Sequence, residues 1–222
     1  LFGIALGALT GCSMVFDEGN GADDNLAHLY IQTKMLDATL STKANDDYIS
    51  DPLYPNEKLH TLRIVIVHPD GTVEHNRYID LAGGATGFEG AEETDYEVFK
   101  VTSNEVKRIY LLANEGVYST RVEGRLDLES YTAGTTGFET AVRNFVLNGE
   151  VDGSKPLPQS AVYKVLVPGG VKTTEQNPIK KQFSVVRAAT KFTFYFESTR
   201  PMKFVVKQFH LSSVADRSYL LP

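Results

Sequence analysis

The sequence predicts an all-β fold, an antiparallel β-sandwich with little helix, on three observations. Strand-favouring residues are plentiful, with 11 Tyr and 12 Phe among 222 residues and frequent Val and Thr. Apolar and polar residues alternate over short stretches, as they do on a half-buried strand. Segments rich in Gly and Pro separate these stretches and are typical of turns.

The first strand is expected within residues 28–40, where Leu29, Ile31, Thr33 and Met35 share one face and polar residues occupy the other. Residues 41–58 carry two prolines and many turn-forming residues, and this composition predicts a loop.

A hairpin follows this loop. Leu62 to Val67 is almost continuously apolar, which indicates a strand buried on both faces. Pro69-Asp70-Gly71 predicts a tight turn, because proline presets φ and glycine accepts a positive φ. Val73 to Ile79 is the expected hairpin partner.

The remaining chain reads as further short strands between glycine-rich loops. Loops are expected at 82–94 and 132–141, and a short helical turn at Arg125 to Tyr131. The expected strands are Tyr96 to Val101, Arg108 to Ala113, Phe145 to Leu147, Ala161 to Val167, 181–197, and 203–212 with a possible bulge.

Composition excludes several classes of protein. The net charge is −6 and the pI about 5.4, with Lys and Arg scattered, so we expect no nucleic-acid partner. A single cysteine excludes a disulfide framework. The length suits one large domain, or one and a half, and the 42% hydrophobic content is sufficient for a core.

A lipobox stands near the N-terminus, where Leu9-Thr10-Gly11-Cys12 follows the apolar residues 1–8 and precedes an acidic segment. We expect Cys12 to be acylated, so that the exported protein is tethered to a membrane. The chain begins without Met or a basic segment, so we expect a signal peptide that is clipped at its start. The alternative is a core strand with Cys12 buried in it, which the glycines of this stretch disfavour.

No catalytic motif occurs, so we expect neither an enzyme nor a cofactor. His68 and His75 flank the hairpin turn and could hold a metal, but an ordinary polar hairpin end explains them equally, and no metal site is predicted. The acidic segment Asp17 to Asp24 lacks the order of a calcium loop. A carboxylate-rich loop at 89–95 is interpreted as solvated. Arg187 lies inside an apolar strand and should have a polar or charged partner if it is buried.

In their order after the lipobox, four segments resemble the Bacteroides-type fimbrillins, that is, the type V pilins and their Mfa-like relatives. They are Leu62 to Asp80, Arg108 to Glu115, Leu157 to Tyr163 and Val186 to Phe196. The resemblance implies transthyretin-like strands in a two-domain pilin, of which this chain would contain the N-terminal domain. The implied organisation is a signal peptide at 1–12, an acidic tether at 13–27, the β-sandwich at 28–215 and the start of a link at 216–222.

The resemblance also implies a mode of assembly and a location. A lipidated precursor would reach the outer membrane and the cell surface, and a trypsin-like protease would cut the loop after the first strand. Loss of that strand, about Leu29 to Leu40, would open an apolar groove for the strand of another pilin subunit. The cut would fall in Ser41 to Lys58.

This chain departs from the family pattern in the cleaved loop. Major pilins present an arginine there, but the first arginine here is Arg63, inside a strand. Lys43, followed by Ala44, lies where that arginine would fall. Either a protease that accepts lysine acts, or the strand is kept and the protein remains a lipid-bound anchor or accessory subunit.

Three functions therefore compete. The first is a fimbrial structural and adhesion subunit, in a shaft, tip or anchor role, with a host or bacterial surface ligand. The second is a surface lipoprotein that binds a glycan or a protein without polymerising; an exposed aromatic patch would favour it, and the absence of Trp weighs against it. The third is a secreted hydrolase, for which no catalytic residues are found.

Overall fold

The computed structural model describes residues 25–36, 55–85, 87–89, 98–117, 126–148, 155–188, 203–210, 212 and 217–221. These residues contain ten strands: β1 (Leu26–Met35), β2 (Leu59–Val67), β3 (Val73–Ala85), β4 (Gly87–Glu89), β5 (Val98–Thr102), β6 (Glu105–Ala113), β7 (Val146–Asn148), β8 (Gln159–Val167), β9 (Ile179–Arg187) and β10 (Arg217–Tyr219). One helix, α1 (Phe138–Asn144), and two 3-10 turns, Pro55–Glu57 and Glu115–Val117, complete the described elements. The all-β prediction is confirmed.

The strands form two layers, and β9 joins these layers. The order is β3-β2-β6-β8-β9-β1, and both β4 and β5 pair with the far edge of β1. β9 pairs with β8 only through its last residues, Val186 and Arg187, and with β1 along the rest of its length. The sheet therefore turns at β9 and folds over itself, as in a sandwich.

Within the described ladders, β1 and β9 form the one parallel pair. The expectation of antiparallel strands thus holds for the hairpins and fails at this pair. The two strands are about 150 residues apart in the chain, so no tight turn dictates that they run in opposite directions.

The hydrophobic core has two parts, one on each face of β2 and β6. Leu62, Ile64 and Ile66 of β2 face the part enclosed by the sandwich, whereas Val65 and Val67 face the part covered by α1 and the chain near Leu220. This arrangement confirms that Leu62 to Val67 is buried on both faces.

The turn between β2 and β3 forms as expected. Gly71 has a φ of +92° and donates its N–H to the His68 carbonyl at 3.0 Å. The Thr72 N–H donates to the Asp70 carboxylate at 2.8 Å, and this bond is the main reason that the pKa of Asp70 is lowered.

Several expected boundaries are wrong. β3 continues to Ala85 and β4 follows, although 82–94 was expected to be loop. Gly83 and Gly84 have positive φ and lie where the β2–β3 register shifts between Thr61–Asp80 and Leu59–Ala85, so the glycines permit an irregularity after which pairing resumes. The described part of 125–131 holds no helix, and α1 lies instead at 138–144, where Phe138 and Val142 are buried one turn apart.

The C-terminal expectations differ as well. Residues 203–210 and 212 form no strand and are exposed, so the last expected strand is wrong over its described part. The strand expected at 181–197 is β9, and 189–197 lie outside the described residues. Within the expected link, Arg217 to Tyr219 form β10 on β7, and Leu220 is buried.

Candidate functional site: the groove that holds β1

β1 alternates between buried and partly exposed residues along its whole length. Its buried side chains are Ala27, Leu29, Ile31, Thr33 and Met35, and these include all four residues predicted to share one face. The strand begins at Leu26, inside the segment expected to be tether, because Ala27 extends the same buried row.

Both edges of β1 are paired. On one side, Leu29 to Met35 run parallel to Ile179 to Val185 of β9. On the other side, the first half of β1 is antiparallel to β5 and the second half to β4. β1 is therefore an interior strand, and the two flanking walls would define a groove if it were absent.

The floor of this groove is the enclosed part of the core. The buried side chains of β1 pack there with apolar residues of β2, β5, β6, β8 and β9, among them Ile64, Phe99 and Val165. Burial of a large aliphatic side chain contributes about 1.5–3 kcal/mol, so Leu29, Ile31 and Met35 together contribute roughly 5–9 kcal/mol. Removal of β1 would expose an apolar surface that another strand could cover.

One polar residue interrupts the buried row. The Thr33 hydroxyl is buried without a hydrogen-bond partner in the described structure, at a cost of about 1–3 kcal/mol. At the same point β4 approaches closely, since a Cβ on Gly87 would lie 2.9 Å from the Thr33 carbonyl oxygen. Only glycine fits at this position of β4, and the one unsatisfied hydroxyl of the described β1 row lies beside it.

The chain that enters β2 is fixed independently of β1. The Glu57 carboxylate accepts a hydrogen bond from the Arg187 guanidinium at 3.0 Å, and its carbonyl accepts one from the Gln159 amide at 2.9 Å. Asn114 donates to the Lys58 carbonyl at 2.9 Å and accepts from the His60 N–H at 2.8 Å. Loss of the residues before Pro55 would leave these bonds in place.

The β5 wall is anchored to the opposite layer. Glu74 of β3 accepts hydrogen bonds from both the N–H and the hydroxyl of Thr102, at 2.6 and 2.9 Å. The fully buried Lys107 ammonium lies 2.6 Å from Glu74 and also contacts Glu105, whose carboxylate is 2.6 Å from His68 Nδ1. Burial raises the pKa of Glu105, but the hydrogen bonds from Lys107 and His68 outweigh it, and the pKa is lowered.

Other candidate residues are not brought together. His68 faces Glu105, whereas His75 contacts the Lys100 carbonyl and the Phe99 ring, so the two histidines do not converge. No group of three or more potential metal ligands occurs in the part of the chain that the structure describes. The partner expected for Arg187 is Glu57.

The lipobox at Leu9, Thr10, Gly11 and Cys12 and the cleavage candidates Lys43 and Ala44 lie outside the described residues, as does the acidic segment 17–24. No helix within the described ranges is long and apolar enough to span a membrane. The residues that sequence reasoning missed are Ala27, Glu57 and Asn114. The Asn114 φ of 58° is a conformation that asparagine tolerates, but nothing local in the sequence signals its role.

The fold and the groove define an all-β sandwich in which the first described strand, β1, fills an interior position. No family profile and no curated protein sequence matches this chain. Similar solved structures include the tip fimbrial protein Mfa3 from Porphyromonas gingivalis, a fimbrilin from the same organism and a fimbrial assembly protein from Parabacteroides distasonis.

These three structures are 10%, 14% and 13% identical to this chain, with TM-scores of 0.48, 0.39 and 0.37. Each similarity covers 73% of this chain and, in the same order, 48%, 40% and 51% of the solved one. The chain therefore spans about half the length of the proteins that it is similar to. Their descriptions name fimbrial proteins.

Proposed function

We propose that this chain is part of a structural and adhesion subunit of cell-surface fimbriae. Its precursor is anchored to the outer membrane through acylated Cys12. A protease cuts after Lys43, β1 is lost, and a strand from another pilin subunit fills the groove. The lipobox and the order of family-like segments in the sequence support the anchor and the class of protein.

The observation that carries the strand-exchange proposal is the position of β1. It is the first described strand, it is paired along both edges, and its inward row is buried at every second residue. A strand in this position can be replaced by another of the same pattern, because backbone hydrogen bonds provide affinity and alternate side chains set the register. The bonds that hold Glu57 and Lys58 support a cut upstream of them, since the entry to β2 is retained.

The test uses the full chain with Cys12→Ser and a site-specific protease sequence placed within residues 41–54. After cleavage, we expect the β1 fragment to dissociate and the remaining protein to form oligomers, as measured by light scattering and native mass spectrometry. A nicked protein that keeps β1 and stays monomeric would contradict the proposal.

A locked variant provides the matched control. Gln32 and Gln182 are directly opposite each other in the parallel ladder of β1 and β9, on the side of β1 away from the buried row. Neighbouring strands lie about 4.7–4.9 Å apart, within the range that a disulfide spans. The double variant Gln32→Cys, Gln182→Cys should stay monomeric after cleavage and oligomerise only on reduction. Equal oligomerisation of the oxidised, locked protein would assign the association to another surface.

A further inference from the structure

A cleft of about 510 Å³ lies on the outer side of β3, and no β1 residue lines it. Its lining includes Arg63 of β2, the five consecutive residues 74–78 of β3, and Glu129 with residues 131–133. The volume falls within the range of small-molecule sites, roughly 300–1,000 Å³.

Arg63 is an unusual lining residue, because its side chain is only 3% exposed. Its guanidinium donates from Nε and Nη2 to the two carboxylate oxygens of Glu115, at 2.6 and 2.7 Å, and from Nη1 to Asn76 at 2.8 Å. A guanidinium has five N–H groups, so two remain available beyond the bonds that the described residues show. Glu115 offsets the charge of Arg63, so Arg63 offers hydrogen-bond donors to the cleft rather than a net positive charge.

Two tyrosines add apolar ring surface to the same cleft. Tyr78 is 45% exposed, and its ring centroid lies 5.3 Å from the carbon at the centre of the Arg63 guanidinium. Tyr131 is half-buried, and its ring rests edge-on against Phe138 at 5.4 Å. Burial is the main reason that the pKa of Tyr78 is raised. The hydroxyl carries its proton at neutral pH, as every ordinary tyrosine does, and can donate a hydrogen bond.

The cleft is held in a fixed shape. The Asn76 side-chain amide donates to the carbonyls of Leu128 and Tyr131, both at 2.8 Å, and thereby ties the segment that carries Tyr131 to β3. A preformed site of this kind loses little conformational entropy when a ligand binds.

An added peptide strand does not fit the start of β3. The N–H and the carbonyl of Val73 are both occupied, by Thr135 and Gly134 at 2.8 Å, so the edge is closed there. The charges of the lining are balanced: Arg63 is paired with Glu115, Glu74 is paired with Lys107, and Arg77 and Glu129 have opposite signs. No net positive charge therefore attracts an anionic ligand. The surface suits an uncharged ligand with many hydroxyl groups and apolar ring faces.

The geometry points to a binding site for a neutral, hexopyranose-containing glycan in this cleft. The sugar ring packs on Tyr78. The sugar hydroxyls accept hydrogen bonds from Arg63, and they donate hydrogen bonds to the Tyr78 hydroxyl or accept them from it. Because the cleft and β1 share no residue, the site operates in the uncut chain and does not depend on strand exchange.

The test measures binding of the uncut full chain to a printed array of neutral and acidic glycans. Neutral binders are then titrated by saturation-transfer NMR. Tyr78→Ala should weaken binding by at least about tenfold, as expected for the loss of an aromatic anchor, and Tyr78→Phe by about threefold or less. Tyr219→Ala is the matched control, because Tyr219 is 62% exposed and lies on β10, away from the cleft.

Thermal unfolding of each variant separates loss of the site from loss of the fold. A neutral glycan that binds the wild type and the Tyr219 variant but not the Tyr78→Ala variant supports the assignment. Absence of binding across the array, a preference for acidic glycans, or equal losses in the Tyr78→Ala and Tyr219→Ala variants would overturn it.

Discussion

Truncation of Ile31 is the sharpest test of how firmly the groove holds β1. Ile31 is fully buried at the middle of the strand, opposite Lys181 of β9, and belongs to the enclosed core. Replacement by alanine removes three carbons from a site that packing on both sides prevents from collapsing. Substitutions of this kind cost about 2–5 kcal/mol.

The assay is equilibrium urea unfolding of the uncut chain, followed by far-ultraviolet circular dichroism. Ile31→Ala should lower the free energy of unfolding by about 2–5 kcal/mol, whereas Lys34→Ala, at an exposed position of the same strand, should change it by about 0.5 kcal/mol or less. In the cut protein, the same loss of packing energy weakens the binding of the β1 fragment to the groove. Since about 1.4 kcal/mol is a factor of ten, the affinity for the strand should fall roughly 30-fold or more.

Equal, small effects of Ile31→Ala and Lys34→Ala would refute the reasoning. Such a result would mean that β1 is not packed as an interior strand in solution, and that the groove is not its binding site.

The other predictions concern the polar clusters that position the sheet. Lys107→Met leaves the partly buried carboxylates of Glu74 and Glu105 without their cation and should cost about 1–3 kcal/mol at neutral pH. The folded pKa of Glu105 is below its ordinary 4.5, so the stabilising effect of its carboxylate is present above that pH and is lost as the pH falls below it. The destabilisation caused by Lys107→Met should therefore be smaller in acid than at neutral pH. A destabilisation that is independent of pH would contradict this. Burial, and next the hydrogen bond to Glu139, raise the pKa of Tyr110 to about 12. The contribution of Tyr110 to the free energy of unfolding is therefore present below pH 10 and is lost as the pH rises through 12. Ultraviolet titrations of the wild type and of the Tyr110→Phe variant should differ by one phenol that ionises near pH 12. If the phenol absent from the variant instead ionises near pH 10 in the wild type, the prediction is wrong.

Local patterns predicted the strands of the core well. Alternation identified the buried row of β1, and the apolar run Leu62 to Val67 identified a strand buried on both faces, because each pattern reflects packing within a single strand. The Pro-Asp-Gly turn was predicted from the conformations that proline and glycine prefer.

The pairing of distant strands could not be predicted in this way. The parallel ladder of β1 and β9 joins residues about 150 apart, and no short-range pattern encodes such a register. Arg187 was expected to have a partner, but that partner, Glu57, lies 130 residues away in a segment interpreted as loop. β3 resumes its pairing with β2 at Ala85 after a register shift at its glycines, and side-chain alternation does not report such an irregularity.

The cleft was missed for a related reason. Arg63 reads in the sequence as one charge inside an apolar strand, and its counter-charge, Glu115, is 52 residues away. Tyr78 and Tyr131 are brought together only when β3 and the segment after residue 128 meet. Sites assembled from three separate segments become visible only once the topology is known.

Strand removal is tested most directly by the mature N-terminus of the protein in surface polymers, measured by intact and peptide mass spectrometry. The proposal predicts subunits that begin at Ala44 and lack β1, together with a lipidated precursor that begins at acylated Cys12. Polymers whose subunits all retain acylated Cys12 and residues 26–35 would contradict strand exchange at this groove.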